Sequence, residues 1–143
     1  MFEKPSRRVE RVFLHCSASD DKSLSGNKLV EEIRCWHLAR GFSDVGYHRL
    51  IDKAGAVMPG RDFEKTPAAQ KGHNTGTIAI MVHGLEDFPE GMLAACKALC
   101  EEINEACEGR VSFHGHCEVS AKSCPAFDYT ALLGLDRYGR MPE

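Results

Sequence analysis

Apolar and polar positions change their period several times along the chain, and each change predicts an element. In "VERVFLH" (residues 9–15) they alternate and include β-branched residues, which predicts a strand ending at His15. In "NKLVEEIRCWHLARGF" apolar residues fall at 29, 30, 33, 36 and 37 or 38, the helical spacing. Asn27 is the expected N-cap of that helix and Gly41 its stop. "GYHRLID" and "GAVMPG" read as two strands joined through the turn "DKAG". "EKTPAAQKGHNTG" is a polar loop, and the apolar "TIAIMVHG" after it predicts a central strand covered on both faces. Met92, Leu93, Cys96, Leu99, Cys100, Ile103 and Cys107 recur at helical spacing and predict a long helix from about Pro89 to Cys107. "RVSFHGH" reads as a last strand, and "FDYTALLGL" as a short final helix capped by Asp128. No repeat, low-complexity segment or linker interrupts this order. The expected architecture is therefore α/β, a single domain with a central mixed β-sheet flanked by helices.

Composition narrows the function classes. A chain of 143 residues with 43% apolar content suits one domain with a real core. A net charge of -3 gives no reason to expect nucleic acid as a partner. The N-terminal "MFEKPSRRVERVFLH" has no apolar core of a secretory signal, and no apolar run approaches the ~20 residues that span a bilayer. The expectation is a protein made in the cytoplasm without membrane insertion. The seven cysteines are an odd number, which in a reducing compartment points to free thiols or metal ligands. Cys96, Cys100 and Cys107 fit the apolar face of the long helix, where thiols act as small core residues.

Chemistry concentrates in "FHGHCEVSAKSCPAFD" (residues 113–128), which holds two histidines, two cysteines and a lysine. Strand alternation places His114 and His116 on one face. Cys124 follows His116 after seven intervening residues, enough for a loop to return the sulfur to an imidazole. His15, at the end of the first strand, is the natural third candidate, because strand ends open onto loops where sites form. Two imidazoles, one thiolate and one open position describe a catalytic zinc site, since structural sites fill all four positions with protein. Such an ion activates water near neutral pH. Spacing alone does not choose between His114 and His116, and unrelated surface histidines with a buried thiol remain the plain alternative.

The segments "VFLHCSAS", "IRCWHLARGFSDVGYHRLID", "GAVMPGRD", "KGHNTGTIAIMVHG" and "HGHCEVSAKSCPAFD" follow one another as in the zinc-dependent N-acetylmuramoyl-L-alanine amidases of type 2. That family is related to the peptidoglycan-recognition proteins, and the chain resembles its small phage lysozyme-amidases over residues 9 to 133, within a single amidase domain spanning 1–143. The resemblance implies the peptidoglycan-recognition-protein fold and one zinc ion per chain, held by His15, His116 and Cys124. It thereby selects His116 over His114. It implies Tyr47 as the catalytic tyrosine and Lys122 as a basic residue supporting catalysis, both placed to stabilise the oxyanion of a tetrahedral intermediate. The implied reaction cleaves the amide between N-acetylmuramic acid and L-alanine in peptidoglycan. The implied setting is a monomeric phage or prophage endolysin that reaches the cell wall after membrane breach or delivery.

His37 lies where the family lines its glycan or peptide groove, though packing on the first helix explains it equally well. Arg61 is expected to fix a turn by pairing with Asp62, or else to meet a peptide carboxylate. Many relatives carry a histidine where Ala69 stands here; His73 is expected to reach the same space, and Asn74 is grouped with it as substrate-binding. His48 is expected to point away from Tyr47. Glu118 or Asp128 is a candidate to hold a ligand imidazole by its free N–H, and Cys117 is read as a neighbour of the metal ligands. The alternative function is a non-catalytic peptidoglycan-binding relative, or a regulatory one that binds a viral polymerase. Cys124 argues for the enzyme, since non-catalytic relatives typically lack the cysteine ligand.

Overall fold

The computed structural model describes residues 2–142. The elements are β1 (Arg11–Cys16), α1 (Gly26–Ala39), β2 (Arg49–Ile51), β3 (Val57–Pro59), β4 (Thr77–Val82), α2 (Glu90–Ala106), β5 (Ser112–Gly115), a one-turn 3-10 helix (His116–Glu118) and α3 (Tyr129–Leu133). The strands form one sheet in the order β3-β2-β4-β1-β5. β1 runs parallel to β4 and to β5, β2 runs parallel to β4, and only the β2–β3 hairpin is antiparallel. The sheet is therefore mixed, as expected. Parallel neighbours need long crossovers, which α1 and α2 help to provide.

Alternation along the strands divides the core between the two helices. Val12, Leu14, Ile78, Ile80 and Val82 pack with Met92, Cys96, Leu99, Cys100 and Ile103 of α2. Leu50 and Met81 pack with Leu29, Val30 and Ile33 of α1 on the other face. All six residues of β4 are buried, in line with an apolar strand covered on both sides. Cys96, Cys100 and Cys107 are buried within the α2 cluster and act there as apolar residues. Among the described residues no helix is long and apolar enough to cross a membrane.

Several boundaries differ from the sequence expectation. Helix α1 begins at Gly26, with Ser25 rather than Asn27 at the N-cap. Ser25 makes no side-chain cap bond; the Asp52 carboxylate, from the turn after β2, accepts from Gly26 N at 2.9 Å instead. A distant residue therefore anchors the helix start, which local spacing does not reveal. Gly41 ends α1 as expected, with a positive φ of 91° and its N–H donating to Leu38 O at 3.0 Å. Strands β2 and β3 are shorter than their motifs, but isolated bonds carry the pairing further. His48 N donates to Ala79 O at 2.9 Å, and Arg61 N to Tyr47 O at 2.8 Å. Strand β5 stops at Gly115, because the Glu118 carboxylate accepts from Gly115 N at 2.9 Å and turns the chain into the 3-10 helix. Asp128 caps α3 as expected, accepting from Ala131 N at 3.2 Å.

The centre of this packing is sensitive to a cavity. Ile80 is fully buried in the central strand, so Ile80→Ala is expected to lower the unfolding free energy by about 2–5 kcal/mol with an unchanged denaturant slope. Urea unfolding followed by circular dichroism measures both quantities.

Candidate active site

The parallel register of β1 and β5 builds the first half of the site. Leu14 lies opposite Gly115, so the next residues along each chain, His15 and His116, come side by side. Their ring centroids are 4.6 Å apart. Cys124 returns on a loop tied at two points: its carbonyl accepts from Cys117 N at 2.7 Å, and its Sγ accepts from Cys16 N at 3.0 Å. Cys124 Sγ then lies 3.9 Å from His15 Nδ1. One donor atom from each of His15, His116 and Cys124 falls within 4.8 Å of the others. His114 is absent from this group. Its ring packs 5.3 Å from that of Phe13, and its nitrogens engage Ser112 Oγ at 2.6 Å and Glu118 Oε1 at 2.8 Å.

Burial holds the two imidazoles in the neutral form a metal needs. The His15 pKa is lowered to about 3, first by burial and next by His116, with Lys122 adding a smaller push; the Gln70 hydrogen bond opposes them. His116 is lowered by burial and then by Lys122. Hydrogen bonding to the Cys16 thiol and burial raise the Cys124 thiol, while the Cys16 N–H works against them. A divalent cation reverses that balance, since a coordinating thiol is deprotonated outright. The donor set thus fits a borderline-soft divalent metal: two neutral imidazoles and one sulfur.

Two adjoining cavities, of about 450 and 620 Å³, share His37, Arg40, Tyr47 and Lys122 in their walls. Cys124 and Trp36 line the first, and His116 lines the second. His15 is buried and lines neither. Tyr47 packs its ring 5.1 Å from His15 and 5.3 Å from His37. Its hydroxyl has no protein partner among the described residues. Burial raises its pKa, so the hydroxyl stays protonated and free to donate. Lys122 is exposed at the mouth of both cavities.

The remaining predicted residues fare differently. His37 lines both cavities. Its Nδ1 accepts from Gly46 N at 2.7 Å, leaving the proton on Nε2. Burial, then Arg40 and Arg61, lower its pKa to about 4, so it presents a neutral donor. Position 46 has no room for a side chain, because a Cβ there would lie 2.1 Å from Ala68 O and 3.3 Å from His37 Cε1. His48 points away from Tyr47 as expected: its ring stacks on Phe63 at 5.2 Å. Arg61 lines neither cavity and makes no ion pair with Asp62 among the described residues. Its guanidinium donates to the carbonyls of Val45, Thr66 and Asp44 at 3.0, 2.9 and 3.4 Å, so three backbone acceptors consume it. His73 also lines neither cavity; its N–H is folded onto Gln70 O at 2.8 Å, which turns the residue into the loop's own turn. Asn74 reaches the second cavity, but its Oδ1 is spent on Ala69 N and Gln70 N at 3.0 and 2.9 Å. Neither Glu118 nor Asp128 bonds a cluster imidazole. The carboxylate of Glu118 accepts from Gly115 N, His114 and Tyr129 and so braces the turn that carries His116.

Sequence reading missed Arg40 and Lys71 in the groove wall and Gln70 behind His15. Helical spacing puts Arg40 one turn past Trp36 on the same face, a signal that was available. For Gln70 no local signal exists, since its partner lies 55 residues away.

Residues 5–127 match the N-acetylmuramoyl-L-alanine amidase family, designated Amidase_2. The chain belongs to this amidase family. It is 35% identical over 133 residues to the endolysin of Enterobacteria phage T3, covering 87% of this chain and 85% of that protein. The endolysin of Escherichia phage T7 gives the same identity and coverage. Among solved structures, the N-acetylmuramoyl-L-alanine amidase LysC from Clostridium intestinale URNW superposes with a TM-score of 0.76, over 92% of this chain and 85% of that one. At 20% identity that likeness shows a shared fold. In this chain the groove is cationic: Arg40, Lys71 and Lys122 line the two cavities, and no carboxylate lines either.

If the three donors act together, wild-type protein binds one divalent metal ion per chain. Cys124→Ser is expected to weaken that binding by more than the tenfold to hundredfold, roughly, that the loss of an outer partner costs. Competition with a chromophoric chelator measures it. Equal affinity in the variant removes Cys124 from the ligand set.

Proposed function

We infer that this amidase cleaves the amide between N-acetylmuramic acid and L-alanine in peptidoglycan, as a phage endolysin, with one zinc ion per chain. The observation that carries the reading is the convergence of His15, His116 and Cys124 beside an unpartnered tyrosine hydroxyl. Family membership and the similarity to phage endolysins support it independently. A zinc ion held by these three side chains supplies Lewis acidity and activates water when bound.

The chain's own groups do the rest. The two cavities seat substrate on either side of Tyr47 and His37. As the carbonyl carbon becomes tetrahedral, its oxygen gains negative charge. Tyr47 Oη–H and the Lys122 ammonium line the same walls and are the donors available to that oxygen. They stabilise it more than the neutral carbonyl, which is the condition for speeding the reaction. The neutral His37 Nε2–H is a further donor, suited to an uncharged amide or sugar oxygen. Arg40 and Lys71 give the groove the positive charge that stem-peptide carboxylates require, despite the chain's net -3.

Digestion of purified murein, followed by mass analysis, tests the bond cleaved. New L-alanine amino groups with glycan strands of unchanged length are expected; shortened glycans or cuts within the stem peptide refute the assignment. Tyr47→Phe is expected to bind metal as the wild type does and to lose turnover by about a hundredfold to a thousandfold. Undiminished turnover in that variant excludes the hydroxyl from the mechanism.

A further inference from the structure

We propose that Gln70 is a positioning residue that fixes the His15 tautomer and so turns the Nδ1 lone pair toward the metal cluster. The inference rests on the metal reading above but comes from a separate network. Gln70 and Thr77 are fully buried, and His15 is nearly so. Inside that dry region each hydrogen has only one place to go.

The chain of donors begins at Asn74, whose backbone carbonyl can only accept. Thr77 Oγ1 lies 2.7 Å from it and donates its single proton there. Thr77 Oγ1 then offers only lone pairs, and Gln70 Nε2, at 2.7 Å, donates to one of them. The other amide hydrogen of Gln70 faces His73 O at 3.3 Å, again a carbonyl. With its NH₂ committed to two acceptors, the Gln70 side chain must present Oε1 to His15 Nε2, 2.8 Å away. A carbonyl oxygen there requires His15 Nε2 to carry the hydrogen. Nδ1, which faces Cys124 Sγ, therefore holds the lone pair. An inverted amide would set an N–H against His15, put Gln70 Oε1 against the His73 carbonyl, and draw the Thr77 proton away from Asn74 O.

The surrounding loop is built to hold this orientation. Asn74 Oδ1 accepts from the backbone N–H groups of both Ala69 and Gln70, which closes residues 69–74 into a rigid turn. Thr77 opens β4, so the network is anchored in the central strand. The loop "AAQKGHN" thus serves the metal ligand from behind. His73 contributes a carbonyl to it, and its imidazole plays no part in the network.

Loss of such an outer-shell partner typically weakens metal binding tenfold to a hundredfold, about the range expected here. The test has two readouts apart from turnover. First, long-range proton–nitrogen NMR on the metal-free wild-type protein reads the His15 tautomer directly. A single Nε2–H tautomer is expected, and an Nδ1–H tautomer overturns the proposal whether or not the chain is an amidase. Second, zinc affinity is measured by chelator competition for Gln70→Leu and Thr77→Val, each first shown to fold by circular dichroism. Gln70→Leu should lose affinity in the stated range. Thr77→Val removes the acceptor that orients the amide and should fall between wild type and Gln70→Leu. A folded Gln70→Leu that binds zinc like the wild type overturns the proposal. If wild-type protein shows the expected tautomer but binds no zinc, the metal reading fails and the tautomer assignment survives.

Discussion

The parallel pairing of β1 with β5 on one side and β4 on the other is the constraint on which the site depends. Backbone hydrogen bonds fix the register, and the register fixes which side chains meet. Leu14 opposite Gly115 brings His15 beside His116; His15 opposite Met81 sets it on the face covered by α1. A slip of one residue would turn His15 into the α2 core and disperse the site. The apolar content of β4 and α2 therefore stabilises the register as well as the fold. A buried, fully paired core resists slippage because each face accepts only its own set of side chains.

Around that register the molecule spends polar groups on position. Asp52 caps α1, Glu118 braces the turn bearing His116, Asn74 closes the loop bearing Gln70, and Arg61 gathers three carbonyls of the loops beside Tyr47. None of these side chains is placed at the cluster. Each removes freedom from a segment that borders the cluster or the groove, which lowers the entropy lost on binding there. Burial adds the electrostatic part. It keeps the His15 and His116 imidazoles neutral and Tyr47 protonated, the states in which such groups can respectively bind a cation and donate a hydrogen bond.

Much of this was legible in the chain. The alternation ending at His15 named β1, and the helical period of Met92, Cys96, Leu99 and Ile103 named α2 and its buried face. The spacing of His116 and Cys124, taken with the resemblance, named a ligand set whose donors the fold then brings together. Where expectation and structure part, a distant partner is responsible. Asn27 satisfied every local rule for an N-cap, yet Asp52 supplies the cap across 26 residues. Arg61 beside Asp62 suggested an ion pair, but exposed charges in water attract each other weakly while unpaired carbonyls nearby offered three bonds. His73 was expected to fill the space of the family histidine that Ala69 replaces, and only the turn around Gln70 shows that it stands outside the cavities.

By itself the sequence determined the elements, the faces they bury and the residue types that chemistry would need. These follow from periodicity and composition, which are local properties of the chain. Only the tertiary structure decided that the groove is basic in an acidic protein, that Arg61 and His73 stay out of its walls, and that Gln70 stands behind His15. Those outcomes depend on contacts between residues far apart in sequence. Strand register and burial set such contacts, and neither is written in any short stretch of amino acids.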